Sequence, residues 1–169
     1  GVYTRAAQGQ HGLRYTLCRP FNAYGPGEQP GRDEPGIAHA VPDLIAKVLS
    51  GQRPLEIFGS GEQTRTLTHV DDIADGVVTA MASPAGENED FNISAAESTT
   101  VLELAEVIWR KIKGGDVPLT IVHDDAYEYD VQRRVPDVSK AKQVLGYEAT
   151  PSLEDMLDEG IPWLEQAIA

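Results

Sequence analysis

The segment Arg19-Pro20-Phe21-Asn22-Ala23-Tyr24-Gly25-Pro26-Gly27 follows directly on the apolar run Leu13 to Cys18. This strand-to-loop junction reads as an active-site signature, yet the groups that would complete one are not in the chain. No tyrosine is followed four residues later by lysine. The nearest cases are Tyr15/Arg19 and Tyr129/Arg133, and arginine does not shuttle protons at neutral pH. The glycine clusters Gly25-Pro26-Gly27 and Gly59-Ser60-Gly61 lack the third glycine of a dinucleotide fingerprint and do not lie between a strand and a helix start. Cys18 is the sole cysteine. It reads as a small buried strand residue rather than a nucleophile. No His, Cys and carboxylate group has metal-ligand spacing, so no metal site is expected.

Composition narrows the partners. The chain has 169 residues, enough for one sizeable core, with 27 acidic against 14 basic residues and a formal net charge of −13. That balance argues against nucleic acid or an anionic membrane as partner. The acids are dispersed and read as a solvated surface. An anionic ligand would need a local arginine cluster, which suffices because the acidic background is screened over about 8 Å at physiological salt. No apolar run reaches bilayer length and no secretory signal is visible, so a cytoplasmic protein is expected.

Strand and helix signals alternate, which favours an α/β fold. A helix is expected to end near residue 11, a strand covers Leu13 to Cys18, and a loop rich in proline and glycine covers Asn22 to Gly36. Apolar spacing predicts a helix from Ile37 to Ser50, a strand at Leu55 to Phe58 and another from Arg65 to Val70. Asp71 is the expected N-cap of a helix through Met81, and Phe91 to Ile93 a short strand. Thr100 and Glu103 form a capping-box pattern opening a helix to about Gly114. Leu119 to Val122 reads as a strand, and Asp137 to Leu145 as a helix closed by Gly146. Ser152 caps a last helix, expected to kink or restart at Gly160-Ile161-Pro162.

Four segments, in order, give the chain a family resemblance: RPFNAYGPG (19–27), PLEIFGSGEQTRTLTHVDDIADG (54–76), DFNIS (90–94) and DVQRRVPDVSKAKQVLGYEATPSLEDML (130–157). They resemble the C-terminal half of the extended short-chain dehydrogenase/reductases, the NAD-dependent nucleotide-sugar epimerases and dehydratases. The Gln132 to Ala141 stretch looks most like UDP-glucuronate decarboxylases and UDP-sugar 4-epimerases. The resemblance implies a few Rossmann-sheet elements (1–21 and 65–83) and a small mixed α/β substrate domain (22–64 and 84–169), with the glycine-fingerprint half and the catalytic Tyr/Lys pair lying upstream of Gly1.

The resemblance also implies roles. Arg65 and Arg134 match arginines that grip the ligand's phosphates, a task suited to a guanidinium fork. Arg133 lies beside Arg134, and only one of the two is expected to face the ligand. Asn22 matches an asparagine that donates to a phosphate, the alternative being an Asx-turn. Asp130 matches a carboxylate facing ribose hydroxyls, or is a surface acid. Phe58 contacts the base or packs in the core. His39 and Val41 begin a helix that lines base and phosphate in relatives, although His39 reads better as a capping or structural residue. Pro20 and Phe21 would lie against the nicotinamide. His69 to Asp72 is a structural strand-to-helix step, and no catalytic residue is assigned to this chain.

In the complete enzyme the family reaction oxidises a sugar hydroxyl with bound NAD, and epimerisation, dehydration or decarboxylation follows. This chain alone is expected to be inactive, to bind no NAD, and to hold the nucleotide sugar. A homodimer is implied for the complete enzyme, and self-association for the isolated chain, whose cofactor-domain elements would leave an apolar face and a strand edge uncovered. A module that binds nucleotide sugars without turnover, or a structural protein, is the reading from another class.

Overall fold

The computed structural model describes residues 1–31, 39–126 and 129–168. In chain order the elements are α1 (Val2–His11), β1 (Thr16–Pro20), β2 (Ala23–Tyr24), α2 (Ala40–Leu49), β3 (Leu55–Phe58), β4 (Thr64–Arg65), β5 (Thr68–His69), α3 (Val70–Ala82), β6 (Glu89–Ile93), β7 (Thr99–Thr100), α4 (Val101–Lys113), β8 (Ile121–Asp124), β9 (Arg133–Arg134), α5 (Ser139–Leu145) and α6 (Leu153–Ile168). The alternation is α/β as expected. The chain forms two compact units, one of residues 1–23, 66–97 and 136–150, the other of 24–65, 98–135 and 151–169. Compactness therefore groups residues 84–97 and 136–150 with the first unit rather than with the remainder of the C-terminal segment.

In the first unit β1 and β6 pair in parallel, Thr16 opposite Glu89 through Pro20 opposite Ile93. The partner sets the strand's limits. Leu13, half exposed, lies before the paired register, so β1 begins at Thr16 and runs two residues beyond Cys18. α3 packs on both strands and α5 on β6. Their core holds Ala80, Phe91, Ile93, Ala141 and Tyr147, with Cys18 and Ile73 against it. The N-cap of α3 is His69, whose Nδ1 accepts from the Asp71 N–H at 3.3 Å. The N-cap and the helix start thus lie two residues earlier than expected, with Val70 already helical. Asp71 and Asp72 instead occupy the first turn, where the helix dipole favours acids.

The second unit is built on the parallel pair β3–β8, Leu55 opposite Ile121 through Phe58 opposite Asp124. That register shifts β8 two residues past the expected start. Leu55 and Ile57 are buried, while Glu56 and Phe58 on the alternate face are half-buried. α2 packs on α4 and α6, burying Val41, Leu44, Ile45 and Val48 with Leu104, Ile108, Trp109, Met156, Leu157 and Leu164. The expected helix start at Ile37 lies outside the described residues; α2 begins at Ala40.

Thr100 and Glu103 close the expected capping box on α4. Ser152 Oγ accepts from the Asp155 N–H at 3.2 Å at the start of α6. α6 does not restart at Pro162 but runs on to Ile168 with the proline inside. Met156, Leu157, Gly160 and Leu164 bury one face of it, and tertiary packing of that face outweighs the lost donor. The Tyr24 hydroxyl occupies the space a Gly160 Cβ would take.

Candidate functional site

The turn between β3 and β4 delivers Arg65. Gly59 (φ 68°) and Gly61 (φ 77°) take left-handed backbone conformations. The Gly59 N–H donates to the Asp124 carbonyl at 3.0 Å, the Gly59 carbonyl meets His123 Nδ1 at 2.8 Å, and the Gly61 carbonyl accepts from the Leu102 N–H at 3.1 Å. Gln63, nearly buried, donates its amide to the Phe58 carbonyl at 3.0 Å. Gly59, Gly61 and Gln63 are thus each tied to a flanking element before Arg65 is reached.

β4 then pairs antiparallel with β7 and in parallel with β9, Thr64 opposite Arg133 and Arg65 opposite Arg134. Paired residues share a face of the sheet and successive ones alternate. Arg134 therefore stands beside Arg65, while Arg133 falls on the side of Thr64. Arg65 Nη2 donates to Asp130 Oδ1 at 2.8 Å, with both side chains largely buried (19% and 17% exposed). Its Nη1 donates to the Thr64 carbonyl at 3.0 Å. Arg133 and Arg134 are exposed, and neither makes an ion pair with another described residue. The second unit thus offers one ordered guanidinium, one available guanidinium on the same face, and a carboxylate holding the first.

The remaining second-unit candidates have plainer surroundings. Phe58 is half-buried and lies under Lys47, whose ammonium is 5.1 Å from the ring centroid. His39 is the N-cap residue of α2 by backbone, but its ring does not cap; Nδ1 meets the Glu28 carboxylate. Val41 is 3% exposed and sits in the core, so its side chain has little surface for a ligand. The half-buried Asp43 carboxyl is pushed up by desolvation, against the Gly31 N–H, Lys47 and His39.

Three candidates belong to the first unit. Pro20 is exposed and Phe21 half-buried at the carboxyl end of β1, where the Phe21 N–H donates to Ile93 at 3.2 Å. Asn22 is left-handed (φ 39°), a conformation asparagine tolerates. Its amide donates to the Thr66 carbonyl at 2.8 Å, and its carbonyl accepts from the Thr68 N–H at 3.2 Å. Neither bond is a local Asx-turn; both join the junction to residues more than forty positions on. Asp130 as Arg65's partner is what sequence reasoning missed, since 65 residues separate them and no local pattern links them. Among the described residues no His, Cys and carboxylate group could hold a metal, and no helix is long and apolar enough to cross a membrane.

An α/β fold whose sheet carries adjacent arginines behind a glycine turn defines a class that comparison with known proteins makes specific. Residues 2–94 match the model of the NAD dependent epimerase/dehydratase family. The chain belongs to that family, in its extended short-chain dehydrogenase/reductase branch. It is 34% identical over 157 residues to UDP-glucuronic acid decarboxylase 6 of Arabidopsis thaliana, covering 93% of this chain and 41% of the relative. It superposes on UDP-glucose 4-epimerase of Thermotoga maritima, solved with UDP-glucose, with a TM-score of 0.85 and 32% identity over 99% of this chain and 51% of the other. An epimerase of Methanothermobacter thermautotrophicus gives a TM-score of 0.86 at 26% identity, over 99% and 48%. The chain spans about half the length of these relatives, or less.

Proposed function

We propose that this chain holds the nucleotide-sugar substrate of an NAD-dependent, UDP-sugar 4-epimerase-like enzyme. The observation that carries the reading is the β4–β9 register, which sets Arg65 and Arg134 side by side on one face of a chain with a net charge of −13. Two adjacent guanidinium groups on a strongly acidic protein are a local exception, and their fork geometry suits a diphosphate. Asn22 stays a candidate phosphate donor through its second amide N–H, and Phe58 a candidate for the base. A relative solved with UDP-glucose supports the ligand class.

The exposed Pro20 and half-buried Phe21 suit contact with an apolar face of a cofactor ring. The described residues fit NAD at that contact only, since neither glycine turn opens a helix toward a pyrophosphate. Bound NAD would accept hydride from the sugar, while this chain's residues bind and orient the nucleotide. With no Tyr-x-x-x-Lys pair in its sequence, the chain by itself should not turn over. A homodimer is proposed for the complete enzyme.

A second reading within the family is favoured by the 34% identity to a UDP-glucuronic acid decarboxylase. It keeps the same arginine site and changes the sugar. Calorimetric titration with UDP-glucose, UDP-glucuronic acid and dTDP-glucose tests both. Arg65→Ala should weaken the best ligand about tenfold to a hundredfold, the scale of one lost charge-assisted phosphate contact. An unchanged affinity removes Arg65 from the site, and no binding of any of the three removes the function.

A further inference from the structure

The Arg65–Asp130 pair supports more than a list of ligand contacts. Both ends of the Arg65 fork are committed within the protein, Nη2 to Asp130 and Nη1 to the carbonyl of Thr64. A guanidinium is planar, so fixing two of its nitrogens fixes the plane and the direction of the remaining N–H groups. Arg134 beside it is exposed and has no ion-pair partner among the described residues. The Asp130 carboxylate is largely buried, and one of its oxygens is already taken by Arg65. A carboxylate used in this way is poorly placed to be the principal reader of a ribose.

We propose that Asp130 is a positioning residue: it acts through Arg65, ordering that guanidinium on the Arg134 face before an anionic diphosphate arrives. This inference rests on the nucleotide-sugar reading above for its ligand, but not for its geometry. The rotamer freedom a long side chain must lose on binding is already lost in Arg65. Arg134 keeps its freedom and closes on the ligand second.

The test is a double-mutant cycle on the full chain, with UDP-glucose and its 2′-deoxyribose analogue titrated by calorimetry. Asp130→Asn should weaken both ligands by the same factor, about tenfold if an ordered charge-assisted contact is lost. In an Arg65→Ala background it should have no further effect, and Asp130→Glu should recover most of the affinity. Additive losses, or a loss for UDP-glucose that spares the deoxy analogue, would overturn the proposal in favour of direct hydroxyl recognition. If neither ligand binds the unmodified chain, the function fails while the positioning claim is still read by nitrogen-15 NMR of the Arg65 side chain. Hindered rotation of its Nη groups should be present in the parent chain and absent in Asp130→Asn. Free rotation in the parent chain overturns the proposal.

Discussion

Tyr147 donates its hydroxyl to the Asp72 carbonyl at 3.0 Å, in the first turn of α3, and its ring packs against Gly76. Burial, with Asp72 and Asp75 nearby, pushes its phenol up to about 12 from an ordinary value of 10. A folded-state pKa raised above the unfolded one gives stability that is complete below pH 10 and is lost as pH rises toward about 12. Tyr147→Phe should therefore cost about 1 kcal/mol at neutral pH through the lost hydrogen bond. The gap between variant and parent should shrink across that alkaline window, as followed by urea unfolding at several pH values. A gap independent of pH would mean that the phenol ionises freely in the folded chain. The same scale separates what was legible from what was not. Arg65 and Arg134 stood out in the sequence because their segments resemble those in which the nucleotide-sugar epimerases and dehydratases place phosphate-gripping arginines. That Asp130 holds Arg65 could not be read, since the contact is created by the β4–β9 pairing rather than by spacing.

At the level of elements, local chemistry was read well and long-range pairing was not. The α4 capping box and the left-handed Gly146 after α5 depend on residues within a few positions of each other, so their sequence signals suffice. The expected strand from Arg65 to Val70 is instead two short strands, β4 in the second unit and β5 in the first. The interruption at Thr66 and Leu67 comes from where the chain passes between units, which propensity does not encode. The turn before β4 gives an element-scale expectation. A Cβ at Gly61 would lie 2.6 Å from Leu102 Cγ and 2.8 Å from Ile57 Cδ1, at a φ that side chains rarely adopt. Gly61→Ala should lower stability by about 1–3 kcal/mol. It should also weaken UDP-glucose binding in conditions where the variant is fully folded, because this turn aims Arg65. A stable variant with parental affinity would show that the turn is not what orders the arginine.

At the scale of the whole molecule, α1 and α3 both carry exposed apolar side chains among the described residues. Val2 and Tyr3 are 83% and 92% exposed, Val78 and Met81 62% and 74%. α1 buries none of its residues, and the only described partner of β1 is β6. Such a face and strand edge favour association. The isolated chain is expected to show concentration-dependent mass in sedimentation equilibrium, strengthened by salt as its charge of −13 is screened. A monomer at every concentration and ionic strength would contradict this.

The passage of the chain back and forth between its two units, each assembled from three separate stretches, bears on how such a protein can change. Neither unit can be lifted out as one continuous piece, and any single break between residues 24 and 150 severs both. Ordering either one ties together the ends of the segments that build the other, shortening the loops the second must close. Exchanging the arginine-bearing unit between relatives would require three matched insertions at once. Such an architecture is therefore free to drift by point substitution around a fixed frame, while recombination by simple cut and join is closed to it.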